Sequence, residues 1–494
     1  MIKPRCKERQ QSCRGRRPVA YDTDDRSKEP SQHIIGPGSV NYTTGGLSKG
    51  VSQAPGDVQV SQPAIDAVQA TTVPSQPANV FVAGMIAVDL ACDHRPRAAS
   101  SSTSLEMHTS NPARIVQSLG GVAHNVARAA TLMGADVRFC SAVGDDLSGK
   151  AALEGLQTEG IGSSAVKVFQ GGERRTAQYV AVNEHNKDLK LAVADMSILD
   201  PPTSNAGQDK DVIAAAFDGL WMPRLRAEKP THLVLDANWP PEYLAYWLRA
   251  GKEINAHITF EPVSNAKAVI PFELPPSSPG TRQHDALSVF PRPDIHLATP
   301  NQYELAAMHS AARARGFLDR QDWWEVIDAL GIPSTGARTA MALATSLQLV
   351  DQGIPQQSIQ LLPFIPCIVT KLGRDGVLVT QLLRAGDLRL SSGEYAPHIL
   401  SRCNNGTEES LGVGGVYMRL FPAVDTVPAE DIVSVNGVGD TFVGTLVAGL
   451  AAAKAKGGEG RVEEHVDLAQ RAAVLTLKSD QAVSPGLGTL RMLM

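Results

Sequence analysis

The sequence predicts an α/β fold in which helices cover both faces of a mostly parallel central sheet, with a small β-strand lid added. Buried-strand patterns alternate with helix patterns from Asn79 onward, which is typical of a parallel sheet between two helical layers. Residues 175–194 break this alternation with short extended stretches around Asn183-Glu-His-Asn-Lys, the pattern of a hairpin. We therefore predict a lid that includes about residues 168–196.

The other elements follow from the spacing of apolar residues and from glycines that end the helical runs. Strands are predicted at 80–89, 137–143, 231–236, 257–261, 295–299 and 367–370, and helices at 122–132 and 149–159. Two stretches with weak periodicity, about 271–293 and 385–430, are predicted to be loop insertions.

Residues 1–78 are rich in Gln, Ser, Pro, Gly and Thr and have no helical or strand period. This composition predicts a disordered leader before one folded domain at 79–494. The first seventeen residues carry seven basic side chains, so mitochondrial or nuclear targeting is an alternative to a solvated tail. Pro4 and Pro18 argue against the amphipathic helix of a presequence.

Charge, hydropathy and cysteine usage argue against several classes of function. The 494 residues include 46 Lys and Arg and 51 Asp and Glu, a formal net charge of −5, which argues against a nucleic-acid partner. The chain has no run of the roughly 18 apolar residues that a membrane span needs. The six cysteines form no Cys-x-x-Cys pair, which favours a reducing, cytoplasmic location over a zinc-bound or disulfide-bonded protein.

The strongest signal for chemistry is Ser434-Val-Asn-Gly-Val-Gly-Asp440, which directly precedes a helical run. Glycines before a helix let the backbone amides of Gly437, Val438 and Gly439 point at one spot, where the helix dipole adds positive charge. Such an anion hole binds phosphate and stabilises charge that develops during phosphoryl transfer. Asp440 would stand at its mouth as a base for an attacking hydroxyl, although a carboxylate here also fits a helix cap.

A second glycine pair, Gly120 and Gly121, precedes the predicted helix at 122–132 and lets a ligand approach the backbone closely. Asn125 in the first helical turn offers both a donor and an acceptor to hydroxyls. Asp89, at the end of the first strand, could accept from two neighbouring hydroxyls. The alternatives are that Asn125 is only a helix-start residue and that Asp89 only forms a turn.

Taken in order, these motifs resemble the two signatures of the PfkB, or ribokinase-like, carbohydrate kinase family. The resemblance runs from about Asn79 to the C-terminus and implies a ribokinase-like three-layer α/β/α sandwich. It also implies transfer of the γ-phosphate of ATP to a sugar hydroxyl, with Asp440 as catalytic base. The implied anion hole is Gly437, Val438 and Gly439, and the implied substrate site is Asp89, Gly120, Gly121 and Asn125.

The resemblance extends to the nucleotide and metal sites. Thr370-Lys-Leu-Gly-Arg-Asp-Gly376 is similar to the family's Thr-x-Gly-x-x-Gly loop, and Asn301 with Glu304 matches its Asn-x-x-Glu motif. Glu261 stands where the family often has Asp-Pro. The residues expected at ATP are Asn301, Thr370, Lys371, Gly373 and Gly376, and those expected at Mg²⁺ are Glu304 and Glu261. Asn301 and Glu304 also fit a helix capping box, and a monovalent cation is a second candidate cofactor.

Three details are similar to the pseudouridine kinase branch of the family. Ser434-Val435 replaces the leading Asp-Thr of the second signature, as it does in that branch. Asn111-Pro-Ala-Arg-Ile before the glycine pair and Asp195-Met196 after the hairpin also resemble it. The resemblance implies phosphorylation of the 5′-hydroxyl of pseudouridine, with Asp195 among the substrate-binding residues as the lid closes onto the base.

Other interpretations stay open at this stage. The substrate could be another nucleoside or sugar, such as adenosine or ribose, since the sequence does not place the contacts to the base. The missing Asp-Thr also allows a catalytically weak, sugar-binding regulator. Exposed edge strands of the lid invite a homodimer. A leader of 78 residues has no room for the glycosidase that some eukaryotic kinases of this branch carry, so a separate glycosidase is expected.

Overall fold

The computed structural model describes residues 79–96, 104–172, 174–185, 188–201, 212–276, 286–403 and 411–494. These residues all belong to one compact unit. The predicted disordered leader at 1–78 lies outside the described residues.

The strands of the described residues are, in chain order, β1 (Val80–Ala83), β2 (Ala87–His94), β3 (Ala113–Gly120), β4 (Val137–Gly144), β5 (Val166–Phe169), β6 (Gln178–Asn183), β7 (Leu189–Asp195), β8 (His232–Asp236), β9 (His257–Glu261), β10 (Leu297–Ala298), β11 (Cys367–Lys371), β12 (Val377–Arg384), β13 (Ile399–Arg402) and β14 (Val413–Phe421). The α-helices are α1 (Val122–Leu132), α2 (Leu147–Thr158), α3 (Val212–Ala216), α4 (Met222–Glu228), α5 (Pro241–Glu253), α6 (Gln302–Ala314), α7 (Gln321–Ala329), α8 (Ala337–Ala344), α9 (Leu347–Asp351), α10 (Ile354–Leu361), α11 (Val438–Ala455) and α12 (Val466–Leu477).

The central sheet has ten strands in the order β13-β14-β12-β11-β10-β9-β8-β1-β4-β5. The strands from β11 to β5 in this order all run parallel. β12, β14 and β13 extend one edge with antiparallel pairing. The sheet therefore confirms the mostly parallel architecture that the alternation of strands and helices predicts.

Helices cover both faces of this sheet, which gives three layers. Val80 and Val82 of β1 pack into one core with residues of α1, α2, α11 and α12. The intervening residues Phe81 and Ala83 pack into the opposite core with α4, α5, α6 and α10. Because neighbouring residues of a strand point to opposite faces, this near-continuous apolar run satisfies both cores at once.

The lid is a separate sheet of four strands in the order β3-β2-β6-β7. The hairpin predicted at 175–194 is formed by β6 and β7, which pair antiparallel. The prediction missed the other half of the lid, because β2 and β3 lie in a part of the sequence that was interpreted only as a strand end and a glycine motif. β2 pairs in parallel with β6 from register Val88 with Gln178, a contact between distant segments that local patterns do not encode.

The prediction that 385–430 is a loop insertion is wrong for a large part of that stretch. It contains β13 and β14, and β14 lies inside the central sheet between β12 and β13. Gly414 and Gly415 interrupt the alternating pattern of this strand and hide it from the sequence. A Cβ at Gly415 would lie 2.2 Å from the carbonyl oxygen of Ser401, so the glycine permits close strand pairing.

The other predicted insertion, 271–293, is attached to the core at both ends of its described part. Phe272 and Phe290 are fully buried there, and residues 277–285 lie outside the described chain.

α11 is the one helix in the described part of the chain that is long and apolar enough to cross a membrane. Two thirds of it (67%) is buried inside the protein, where it packs against α1 and α12. Its composition is therefore that of a core helix, and its packing fixes the direction in which its N-terminus points.

Three histidines form a row where β8, β9 and β10 begin. The ring centroids of His232 and His257 are 5.5 Å apart, and those of His257 and His296 are 5.1 Å apart. Burial, with a smaller contribution from Lys454, lowers the pKa of His232 to about 4. Burial and the neighbouring histidines also lower the pKa of His257. An unfolded chain takes up these protons near pH 6.5, so acidification favours the unfolded state.

We expect His232→Gln to make folding less sensitive to acid. The pKa of His232 falls from 6.5 to about 4 on folding. This shift lowers the free energy of unfolding of the protein by about 2 kcal/mol between pH 7 and pH 5. Urea unfolding at the two pH values should show this loss in the wild type and a smaller one in the variant. His108→Gln removes an exposed histidine and should leave the pH dependence unchanged; equal losses in all three proteins would contradict the prediction.

Candidate active site

The candidate site residues gather at the carboxyl ends of the parallel strands. Asp236 ends β8, Glu261 ends β9 and Lys371 ends β11. α11 brings Asp440 to the same edge, where its Oδ2 accepts a hydrogen bond of 2.8 Å from Nδ2 of Asn125 in α1. This edge is where open α/β sheets bind their ligands.

The start of α11 has the geometry of an anion site. Gly437 precedes the helix with φ 71°, and no side chain caps it. A Cβ at Gly437 would lie 1.9 Å from the carbonyl oxygen of Ala482, so only glycine fits. The amides of Val438, Gly439 and Asp440 occupy the first turn, where a helix offers no acceptor of its own and its dipole is positive.

Asp440 lies in this first turn and is not the capping residue, so the alternative that it only caps the helix is wrong. The carboxyl group is half-buried, and burial raises its pKa to about 7. The negative charges of Glu261 and Asp236 act in the same direction, whereas the hydrogen bond from Asn125 and the charge of Lys371 oppose it. A carboxyl group with this pKa exchanges protons near neutral pH, as a general base requires.

The predicted sugar-site residues also lie together. A Cβ at Gly120 would be 2.0 Å from Oδ2 of Asp89, and one at Gly121 would be 2.5 Å from the carbonyl oxygen of Met85. Both glycines are thus required by close packing of β2 and β3 against the start of α1. Burial raises the pKa of Asp89 to about 6, and His124 partly opposes this shift. Oδ1 of the buried Asn125 has no partner among the described residues, which leaves an acceptor for a ligand.

His124 is a neighbour of this site that the sequence did not identify. It is fully buried, and its Nε2 lies 2.7 Å from Oε2 of Glu159. Burial favours the neutral acid, yet the hydrogen bond and the charge of His124 hold the pKa of Glu159 below its ordinary value. The one signal in the sequence was a polar side chain beside Asn125 in an otherwise apolar helix start.

The carboxylate of Asp236 connects β8 with the end of β1 and the start of α1, which carries Asn125. Its Oδ2 accepts hydrogen bonds from the backbone amides of Met85 (3.0 Å) and Ala123 (3.1 Å) and from the side chain of Asn238 (2.8 Å). A Cβ at Gly84 would lie 2.3 Å from the Asp236 carboxyl carbon. The carboxylate therefore holds the end of β1 and the first turn of α1 in place. Asn238 in turn accepts a hydrogen bond of 2.6 Å from Lys267.

Lys371 and Glu261 form an ion pair beside Asp440. Nζ of Lys371 lies 3.0 Å from both carboxylate oxygens of Glu261, and Oε2 of Glu261 also accepts a hydrogen bond from Thr299. Burial disfavours the charged ammonium, but Glu261 and Glu304 outweigh it and raise the pKa of Lys371. The charged form of the Lys371 side chain is therefore favoured.

Asn301 and Glu304 form the capping box of α6. Oδ1 of Asn301 accepts from the amides of Tyr303 (2.8 Å) and Glu304 (2.9 Å), and Oε2 of Glu304 accepts from the amide of Asn301 at 2.8 Å. Glu304 is buried, which raises its pKa, as does Glu261, while Lys371 opposes the shift. The capping interpretation of this motif is thus confirmed, and Glu304 nevertheless lies next to the ion pair.

The glycine loop after β11 has mixed roles. Gly376 has φ 90°, and a Cβ there would lie 2.0 Å from the carbonyl oxygen of Phe421, so packing against β14 requires this glycine. Gly373 has φ 62° with open space around it. Thr370 is fully buried, and its hydroxyl has no partner among the described residues.

Asp195 lies at the end of β7, where it pairs with Gln178, which in turn pairs with Val88 next to Asp89. Its carboxylate accepts hydrogen bonds from Arg175 (2.6 Å) and from the hydroxyl of Ser197 (3.0 Å), and the Arg175 hydrogen bond lowers its pKa. Neither of these hydrogen bonds involves Asp89 or Asp440. The described residues also contain no group of three or more His, Cys, Asp or Glu side chains arranged to hold a metal ion.

Comparisons with known proteins find relatives of this chain among the carbohydrate kinases. The profile described as pfkB family carbohydrate kinase matches residues 83–215 and 410–487. The pseudouridine-metabolizing bifunctional protein of Schizosaccharomyces pombe is 28% identical over 425 residues, 85% of this chain and 48% of that protein. The pseudouridine kinase of Escherichia coli is 27% identical over 215 residues, 44% of this chain and 58% of that protein. The chain thus spans about half the length of these curated relatives.

Among solved structures, the chain is similar to the ribokinase from Cryptococcus neoformans var. grubii serotype A in complex with ADP. The TM-score is 0.51 at 16% sequence identity, with 84% of this chain and 100% of that chain covered. The likeness establishes the fold: the three layers and the lid sheet are those of the ribokinase-like class.

We expect Asp236→Asn to lower the free energy of unfolding by about 2–3 kcal/mol, because the amide cannot accept at both of its ends and leaves a buried backbone N–H without a partner. Urea unfolding at pH 7 measures the change. Asp375→Asn is the matched control, since that carboxylate is exposed in the turn after β11. Similar stabilities of the two variants would contradict the role assigned to Asp236.

Proposed function

The chain belongs to the pfkB family of carbohydrate kinases, and we propose that it transfers the γ-phosphoryl group of ATP to the 5′-hydroxyl of pseudouridine. The observation that carries the proposed chemistry is Asp440, which lies in the first turn of α11 with its carboxylate hydrogen-bonded to Asn125. The base, the positive end of a helix and a side chain of the sugar site thereby meet at one point.

In this proposal Asp440 takes the proton of the attacking hydroxyl. Its pKa of about 7 suits a base that works near neutral pH. The hydrogen bond from Asn125 occupies one carboxylate oxygen and orients the other toward the acceptor. As the oxygen of the hydroxyl bonds to phosphorus, the bond from phosphorus to the leaving oxygen of ADP breaks, and the first-turn amides stabilise the charge on the transferred group.

We propose that Mg²⁺ enters this site together with ATP. Among the described residues, the site brings together four carboxyl side chains, those of Asp236, Glu261, Glu304 and Asp440, and two lysine side chains, those of Lys267 and Lys371. An added polyphosphate therefore requires further positive charge. Hard oxygen donors suit Mg²⁺, which keeps several waters and binds through few carboxylates plus substrate phosphates. Glu304, with one oxygen free of the capping box, is the side chain proposed to hold it through water.

The choice of pseudouridine rests on likeness. Both curated relatives described above have names that refer to pseudouridine, and the Asn111-Pro-Ala-Arg-Ile and Ser434-Val435 details resemble the same branch. Asp89 and the glycine pair would bind the ribose. Asp195, hydrogen-bonded to Arg175 in the segment that precedes β6, would reach the base once the lid closes.

We expect ADP release in the presence of ATP and Mg²⁺ to be fastest with pseudouridine, when uridine, adenosine and ribose are offered in parallel. Asp440→Asn should lower kcat by at least about 10²-fold, because general-base catalysis contributes about that much, while the affinity for the nucleoside, measured by calorimetry, stays within a few fold.

Each outcome of this assay separates one part of the proposal. Selective turnover of adenosine or ribose would keep the mechanism and exclude the substrate. Nucleoside binding by a wild type that never releases ADP would favour a sugar-binding regulator. Full activity of Asp440→Asn would exclude Asp440 as the base.

We also propose that the protein forms a homodimer through the lid. One row of facing residues crosses all four lid strands: Ile115, Cys92, Val182 and Leu191. Ile115 is 64% exposed at one end, and Leu191 and Val193 are 57% and 55% exposed at the other. A connected apolar sheet face of this kind is unusual on a free monomer, and a second copy offers the same surface in a two-fold arrangement.

We expect the wild type to run as a dimer in size-exclusion chromatography with light scattering, and Leu191→Lys/Val193→Lys to run as a monomer, because two charges would be buried at the interface. Leu347→Lys places the same charge on an exposed leucine of α9 and should stay dimeric. A monomeric wild type, or a lysine variant that remains dimeric, would exclude the lid interface.

A further inference from the structure

The ammonium of Lys371 lies between the carboxylate of Glu261, 3.0 Å away, and the first turn of α11. The N-terminus of a helix already carries partial positive charge, and α11 begins beside the lysine ammonium. A Cβ built on Gly439 would lie 3.4 Å from Nζ of Lys371, so the ammonium lies directly against the first turn with no side chain between them. The Lys371 ammonium and the N-terminal end of the α11 dipole therefore both present positive charge at this point.

The ammonium is held rigidly in this position. Both oxygens of Glu261 lie 3.0 Å from it, and Thr299 fixes that carboxylate with a hydrogen bond from its hydroxyl. The backbone amide of Lys371 donates to the carbonyl oxygen of Pro300 at 2.8 Å. The side chain of Lys371 is 17% exposed, and that of Glu261 is 4% exposed, so Lys371 keeps an open side while its anchor is closed.

The stability of the fold does not by itself explain the ion pair of Lys371 and Glu261. Removing two charges from water costs about as much as their attraction returns, and a buried ion pair is often no more stabilising than apolar residues of the same volume. Here the ammonium, and not the carboxylate, is the member of the pair that faces the first turn of α11. Its position is explained if the open side of the ammonium faces an anionic ligand that binds at the same helix end.

We propose that Lys371 is a built-in cation for the phosphoryl group in transfer, with Glu261 as the residue that positions it. The proposal rests on the kinase function proposed above and adds a role to a residue expected only near ATP. Lys371 neutralises charge on the non-bridging oxygens while phosphorus exchanges the ADP oxygen for the acceptor oxygen. It takes up no proton, since the proton of the acceptor passes to Asp440.

The test compares Lys371→Met, Glu261→Gln and the double variant Lys371→Met/Glu261→Gln with the wild type. We expect Lys371→Met to lower kcat by about 10²-fold, as loss of one donor at a transition-state oxyanion does. It should weaken MgATP binding about tenfold, as loss of a charged hydrogen bond does. Pseudouridine binding without ATP, measured by calorimetry, should change less than about twofold, because Lys371 is not among the residues proposed to bind the nucleoside.

The double variant separates this role from a structural one. If Lys371 only neutralises Glu261, removing both charges restores turnover and MgATP affinity together with thermal stability, and the proposal is overturned. If Lys371 contacts the phosphoryl group, the double variant recovers thermal stability while kcat and MgATP affinity stay low. MgATP binding can be measured even if no acceptor is phosphorylated. Unchanged MgATP affinity in Lys371→Met therefore overturns the role of Lys371, whether or not pseudouridine is the substrate.

Discussion

The carboxylate of Asp236 is the contact on which the geometry of the site depends. It accepts from the backbone of the β1 end and of the α1 start, and it leaves no space for any residue but glycine at position 84. α1 lacks a side-chain cap of its own at Gly121, so this carboxylate from a distant strand satisfies one of its first-turn amides. The direction of α1, and with it the position of Asn125, is therefore set by β8. Since Asn125 binds Asp440, one buried carboxylate relates the sugar side of the site to the base.

The three acids of the site differ in burial and in their partners. Asp236 is fully buried and accepts several hydrogen bonds, and it acts on the fold. Glu261 is nearly as buried and is paired with Lys371. Asp440 is the most accessible of the three; burial raises its pKa to about 7, and the charges of Glu261 and Asp236 add to this shift. A base of this strength thus arises mainly from burial, with a contribution from the surrounding acids.

The sequence patterns predicted features that depend on a few neighbouring residues, such as the glycine turns before α1 and α11. The glycine before α1 and the glycine before α11 were recognisable because a left-handed or tightly packed residue ahead of an apolar helix leaves a short, fixed signature. The contacts between elements were not recognisable in the same way. Lys371 and Glu261 are 110 residues apart, and the pairing of β2 with β6 joins segments about 90 residues apart. The strand β14 was missed for a different reason, since its two glycines weaken the alternation that identifies strands while making its close pairing feasible.

The replacement of the family's leading Asp-Thr by Ser434-Val435 can now be placed in three dimensions. Val435 is exposed, the Ser434 hydroxyl accepts a hydrogen bond from the amide of Asn436, and the backbone of this segment donates to Leu477 of α12. The departure therefore alters an exposed approach to α11 and leaves Gly437 and the first turn intact. The buried acids that remain, Glu261 and Glu304, both act on Lys371 beside the helix end. The site lacks one acid of the family signature but keeps the base, the first-turn amides and the lysine ammonium, which are the parts that phosphoryl transfer needs. The replacement by Ser434-Val435 therefore favours a difference in metal or phosphate contacts over a loss of catalysis.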